Sequence, residues 1–66
     1  MNVGKSLKVA LAKRGMKQTE LARQLQVSDV YLSRLANSEH AGMGTVNKLA
    51  EVLSMKVSEF VALGED

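Results

Sequence analysis

Residues 18–37 read QTELARQLQVSDVYLSRLAN, and only Gln26 and Val27 separate two runs of apolar side chains at helical spacing. Leu21, Ala22 and Leu25 form the first run; Leu32 and Leu35, three residues apart, form the second. A connection that short forces the second helix to turn sharply across the first. Ala22 is small enough to let the backbones approach, and Val27 plugs the corner. The rest of a chain of 66 residues is then support for this pair.

At ~100° per residue, a helix over 28–37 carries Ser28, Leu32 and Leu35 on one side. Val30, Ser33, Arg34 and Asn37 fall on the other, with Asp29 at the leading edge. Such a helix packs along its base and offers a narrow polar ridge, of a width suited to the DNA major groove at ~12 Å.

Length and composition narrow the field. Residues 1–66 read as one domain, too small for anything but a compact helical core without staples. There is no cysteine, so disulfides and zinc–thiolate sites are excluded. His40 is the single histidine and reads as a solvated loop residue, so no metal is expected. No stretch approaches the ~18 apolar residues of a membrane span, and no signal-peptide core precedes the first helix. A bacterial or phage cytoplasm is the expected location. Nine Lys and Arg against seven Asp and Glu give +2; two of the acids are Glu65 and Asp66, so residues 1–64 carry +4. That balance favours an acidic partner such as nucleic acid, although a solvated basic surface would look the same. No nucleophile–base pair or acid pair converges, so catalysis is not expected, and no cofactor or small-molecule ligand is implied.

Around the central pair, spacing predicts three more helices. Val3–Arg14 carries a stripe of Val3, Leu7, Ala10, Leu11 and Arg14, and Gly15 stops it. Lys13 and Arg14 in its last turn suit the negative end of the helix dipole. Met16 is a core plug, and the second helix starts at Lys17 or Gln18. After a loop at 38–42, a fourth helix starts at Met43 behind Gly42, or at Thr45, and buries Met43, Val46, Leu49, Ala50 and Leu53. The fifth, Val57–Leu63, has apolar residues at five of seven positions. That exceeds one hidden face, so Val57, Phe60 and Val61 form a candidate dimer contact; the alternative is that this helix only closes the core.

The pattern Gln18-x-x-Leu21-Ala22-x-x-Leu25-x-Val27-Ser28-x-x-x-Leu32-Ser33-x-Leu35 resembles the helix-turn-helix of the lambda-repressor/Cro-like (XRE-type) DNA-binding family. Lys48-Leu49-Ala50-Glu51-Val52-Leu53 and Val57-Ser58-Glu59-Phe60 resemble its fourth and fifth helices, so the likeness covers residues 7–63. It implies an all-α, five-helix domain with the helix-turn-helix in helices two and three. It implies, too, a cytoplasmic transcriptional regulator, by default a repressor, that binds double-stranded DNA at a palindromic operator as a homodimer. The chain ends before the separate dimerisation domain of larger repressors, which implies the minimal, Cro-sized form. A rival within the same fold is a protein-interaction module, such as an antitoxin-like partner. Three positions depart from the family pattern. Lys17 replaces the usual capping Ser or Thr, at ~1 kcal/mol. Gln26 replaces the usual turn Gly, at ~1–2 kcal/mol if its backbone is left-handed. Ser54 also stands where Gly is common.

The resemblance assigns roles by position. Gln18, with the free N–H groups at the head of its helix, and Asn37 at the far end of the recognition helix would hold phosphates, and Lys17 would add a third such contact. Ser28, Asp29, Val30, Ser33 and Arg34 would read bases. Arg34 suits guanine O6 and N7, or else a phosphate; Val30 suits a thymine methyl. Asp29 either accepts from cytosine N4 or favours the helix start, the second being preferred. Tyr31 packs its ring and offers its hydroxyl to a phosphate. Gly44 and Thr45 would present backbone N–H groups to the next phosphates.

Overall fold

Five helices arise where the apolar periodicities place them, in a computed structural model that describes residues 2–65. They are α1 (Val3–Arg14), α2 (Gln18–Leu25), α3 (Asp29–Ala36), α4 (Met43–Val52) and α5 (Val57–Leu63). The fourth takes the earlier of its two expected starts. No strand occurs among the described residues.

Each boundary has a local cause. Asn2 Oδ1 accepts from the Lys5 N–H at 3.0 Å, and Gly15 ends α1 in the left-handed region at φ 62°. Gln26 ends α2 the same way, at φ 58°, so the turn carries a Cβ where glycine fits best. Its N–H donates to the Arg23 carbonyl at 3.1 Å, and that of Val27 to Ala22 at 3.0 Å. Ser28 caps α3, its Oγ accepting from the Tyr31 N–H at 3.0 Å. Ser54, at φ 57°, turns the chain after α4. Ahead of α5 the Lys56 N–H donates to Glu59 Oε1 at 3.0 Å, one half of a capping box.

The core takes side chains from every helix: Leu7 and Leu11 of α1, Leu21 of α2, Leu32 and Leu35 of α3, Leu49 of α4 and Phe60 of α5 are all buried. Met16, Leu25 and Val27 pack on its edge, with Val27 in the corner between α2 and α3 as expected. Helix α3 is held by α1 and α2, α4 packs on α2 and α5, and α1 lies along α5. One side of α3 is therefore left to solvent.

The seat of α3 depends on a glycine that periodicity does not flag. At the start of α1, the N–H groups of Val3 and Gly4 donate to the carbonyls of Glu39 and Ser38 at 3.1 and 2.8 Å, just past the end of α3. A Cβ at Gly4 would collide with the Ala36 carbonyl oxygen and come within 2.8 Å of that of Ser38. Gly64 makes a similarly close approach to the Asn2 carbonyl and to Ser6 Oγ, a buried hydroxyl with no hydrogen-bond partner among the described residues.

Four expectations need correction. Ser28 is exposed, because as the cap it has extended backbone (φ −75°, ψ 156°) and the helical projection does not apply to it. Arg14 is exposed, since α1 outruns its core contact in the last turn. Met43 is 58% exposed, because the α4 stripe runs past the edge of the core at its first residue. Phe60 is fully buried, so it is a core residue and not a surface for a second copy. Val57, Phe60 and Val61 share one face of α5, and that face turns inward: Val57 and Val61 are half-buried against the core.

Gly4→Ala should destabilise the fold by about 1–3 kcal/mol, because the atoms in its way are backbone. Gln26→Gly should stabilise it by about 0.5–1 kcal/mol, relief of the left-handed strain outweighing the entropy cost of glycine. Urea midpoints of the two variants, moving in opposite directions, check both.

Candidate nucleic-acid interface

Helix α3 is seated by its base and open along its crest. Leu32, Leu35 and Ala36 are buried, whereas Val30, Ser33, Arg34 and Asn37 are all exposed. Val30 is 65% exposed, an apolar side chain held in water on an otherwise polar ridge, where nothing in the fold rewards it. Arg34 is the one cation of α3, in its last turn, and Asp29 is the one anion, in its first. Both suit the dipole of the helix. Ser28 Oγ accepts from the Tyr31 N–H and still has its hydroxyl proton to give. Asn37 Nδ2 donates one hydrogen to the Ser33 carbonyl at 2.9 Å and has a second to give. The cap and the closing amide thus fix both ends of the ridge without using up its donors.

The flanks come from neighbouring helices. Lys17 precedes α2 with extended backbone and no side-chain capping bond, as an ammonium without an acceptor lone pair requires. Behind it Gln18 is half-buried and Thr19 and Glu20 are exposed. Tyr31 is 44% exposed and borders a groove with Leu35, Thr45 and Lys48, so its ring rests on the protein while its edge meets solvent. Gly42 and Gly44 are exposed, with open space where a side chain would stand. The first N–H groups of α2 and α4 have no intrahelical acceptor, which makes both starts able to take an anion.

The structure thus brings Tyr31 and Thr45 to one groove and sets Asn37 on another, between α1 and the end of α3. Gln18, Lys17 and Gly44 border neither. Sequence reasoning did not single out Lys48, which lines the same groove as Tyr31, or Lys5 and Lys8, which line the same groove as Asn37. Their i, i+3 spacing on the polar side of α1 was the available signal.

A short helix laid across another by a tight turn, buried along its base and polar along its crest, defines a helix-turn-helix protein. Against known protein families, residues 6–66 match the Cro/C1-type HTH DNA-binding domain, and the chain belongs to that family. No curated protein and no solved structure matches it. The family assignment implies double-stranded DNA as the ligand and agrees with the all-α, five-helix architecture. No helix among the described residues is long and apolar enough to cross a membrane.

Lys17 marks a place where stability and binding should oppose each other. Lys17→Ser should raise stability by about 1 kcal/mol, through the restored cap. It should also weaken affinity for duplex DNA and make the salt dependence shallower by roughly one phosphate contact. Thermal unfolding and a salt titration of the same variant check the pair.

Proposed function

We propose that this protein is a sequence-specific transcriptional regulator, a repressor that binds a palindromic operator as a dimer. The exposed crest of α3 carries this reading. Four side chains, Val30, Ser33, Arg34 and Asn37, stand clear of the protein on the face away from the core. None of them contributes to the fold's interior.

The roles follow from reach and chemistry. Arg34 offers parallel donors to guanine O6 and N7, Val30 an apolar surface to a thymine methyl, and Ser28 and Ser33 hydroxyls to base edges. Asp29 favours the helix start and repels misplaced phosphates. Gln18 and Asn37 hold phosphates at the two ends, with Lys17, Tyr31, Gly44 and Thr45 adding backbone contacts that fix register without reading sequence.

A dyad would place two recognition helices one helical turn apart, ~34 Å; the two-fold symmetry makes the operator palindromic, and the spacing sets the separation of its half-sites. With Phe60 committed to the core, the contact between copies falls to the outer edges of Val57 and Val61. Two half-buried valines give a small apolar contact, which suits a dimer that forms on DNA. A dimer on a promoter excludes polymerase, and repression follows.

Selection from random duplexes at physiological salt should enrich one palindrome. Arg34→Ala should relax preference at one base step, by about 1–3 kcal/mol of discrimination, while Gln18→Ala should weaken all sequences alike. No enrichment, together with binding to a protein partner that is insensitive to salt, would replace this reading with an interaction module.

A further inference from the structure

We infer that α3 reads one operator pyrimidine by its C5 methyl group alone, through Val30, so that 5-methylcytosine is accepted where thymine is and methylation of cytosine at C5 tightens binding. The inference rests on the proposed DNA-reading role of α3.

Among the described residues three large hydrophobic side chains are exposed, Val30, Tyr31 and Met43. Two of them have a place in the fold. Tyr31 borders a groove with Leu35 and Leu49, and Met43 continues the buried stripe of α4 past the edge of the core. Val30 is the most exposed of the three, at 65%, and shares the crest with Asp29, Ser33 and Arg34, which are exposed as well. Packing does not account for it. Helix stability does not either, since a β-branched residue is a poorer helix former than alanine.

Position and chemistry supply a use. Val30 is the second residue of α3, in the turn that the Ser28 cap fixes, and the N-terminal residues of a recognition helix are the ones that meet base edges. In a helix, valine strongly prefers one side-chain rotamer, so its two methyl groups form a stiff apolar knob. That knob neither donates nor accepts a hydrogen bond. In the major groove thymine presents O4 and a C5 methyl, whereas cytosine presents an N4 amino group and a bare C5. A side chain without polar atoms is blind to the difference between O4 and N4; it detects only the methyl. 5-Methylcytosine carries that methyl at the same place. Arg34 lies one turn further along the crest, about 6 Å along the helix axis, so the methylated pyrimidine falls within about two base pairs of the guanine that Arg34 reads.

The test takes the operator enriched from random duplexes and places thymine, uracil, 5-methylcytosine or cytosine in turn at each pyrimidine of one half-site. The first two stand opposite adenine and the last two opposite guanine, so the methyl is compared with the partner purine held constant. At one position the methyl should lower Kd roughly threefold to fivefold in both pairs, thymine over uracil and 5-methylcytosine over cytosine, as burial of one methyl group implies. Val30→Ala should bring both ratios close to one, and Val30→Ile should keep them. A methyl effect confined to the adenine pair would show that O4 is read as well, and would overturn the inference. Ratios near one at every pyrimidine, or ratios that survive Val30→Ala, would also overturn it, while relaxed preference in Arg34→Ala would leave the reading of α3 standing. If no sequence is enriched, both fall.

Discussion

Two amides at the start of the first helix, those of Val3 and Gly4, donate to the carbonyls of Glu39 and Ser38 just past the end of α3, and the seating of the recognition helix depends on them. Packing of Leu32 and Leu35 alone would leave a helix of two turns free to rock about its long axis. The hydrogen bonds pin its far end and satisfy N–H groups that the first turn of α1 would otherwise leave open. They form only because Gly4 has no side chain to strike the Ala36 carbonyl. The near end is fixed separately, by Ser28 Oγ on the Tyr31 N–H and by Val27 in the turn. Held at both ends, α3 presents its outer side chains in one orientation, and a preset surface loses less entropy on binding.

The domain gives up stability around this unit. Gln26 and Ser54 both adopt left-handed backbone that costs a residue with a Cβ about 1–2 kcal/mol. Lys17 and Lys56 occupy cap positions where their side chains cannot accept. Ser6 buries a hydroxyl that has no partner among the described residues. A domain of this size has only a few kcal/mol in reserve, so such losses are a sizeable fraction of it. Lys17 is exposed ahead of α2, and the proposed phosphate contact there would offset its missing cap. Nothing in the structure explains Ser54.

Much of this was legible in the sequence because helical periodicity reports burial directly. The stripes Leu7–Leu11, Leu21–Ala22, Leu32–Leu35 and Val46–Leu49–Leu53 are the core, and the departures at Lys17 and Gln26 predicted the missing cap and the left-handed turn. Periodicity misled where its premise fails. Ser28 is outside the helix, so a wheel misplaces it; Met43 continues a buried stripe beyond the last packing partner. In α5 an abundance of apolar residues suggested an outward patch, yet the three side chains sharing a face are the ones turned inward around Phe60. Gly4 was illegible for a different reason. Its meaning lies in a carbonyl 32 positions away, and local sequence carries no trace of that approach. The same holds for Lys5 and Lys8, whose relation to Asn37 exists only once α1 and α3 are packed.

The central claim is that one face, the crest of α3, meets the ligand. Amide and side-chain chemical shifts followed as duplex DNA is added to the isotopically labelled protein test it directly. The account predicts that the largest changes fall on Val30, Ser33, Arg34 and Asn37, with Gln18 at the flank, and that Leu49 and Phe60 in the core barely move. Changes centred on Val57 and Val61, with the α3 crest unmoved, would contradict it.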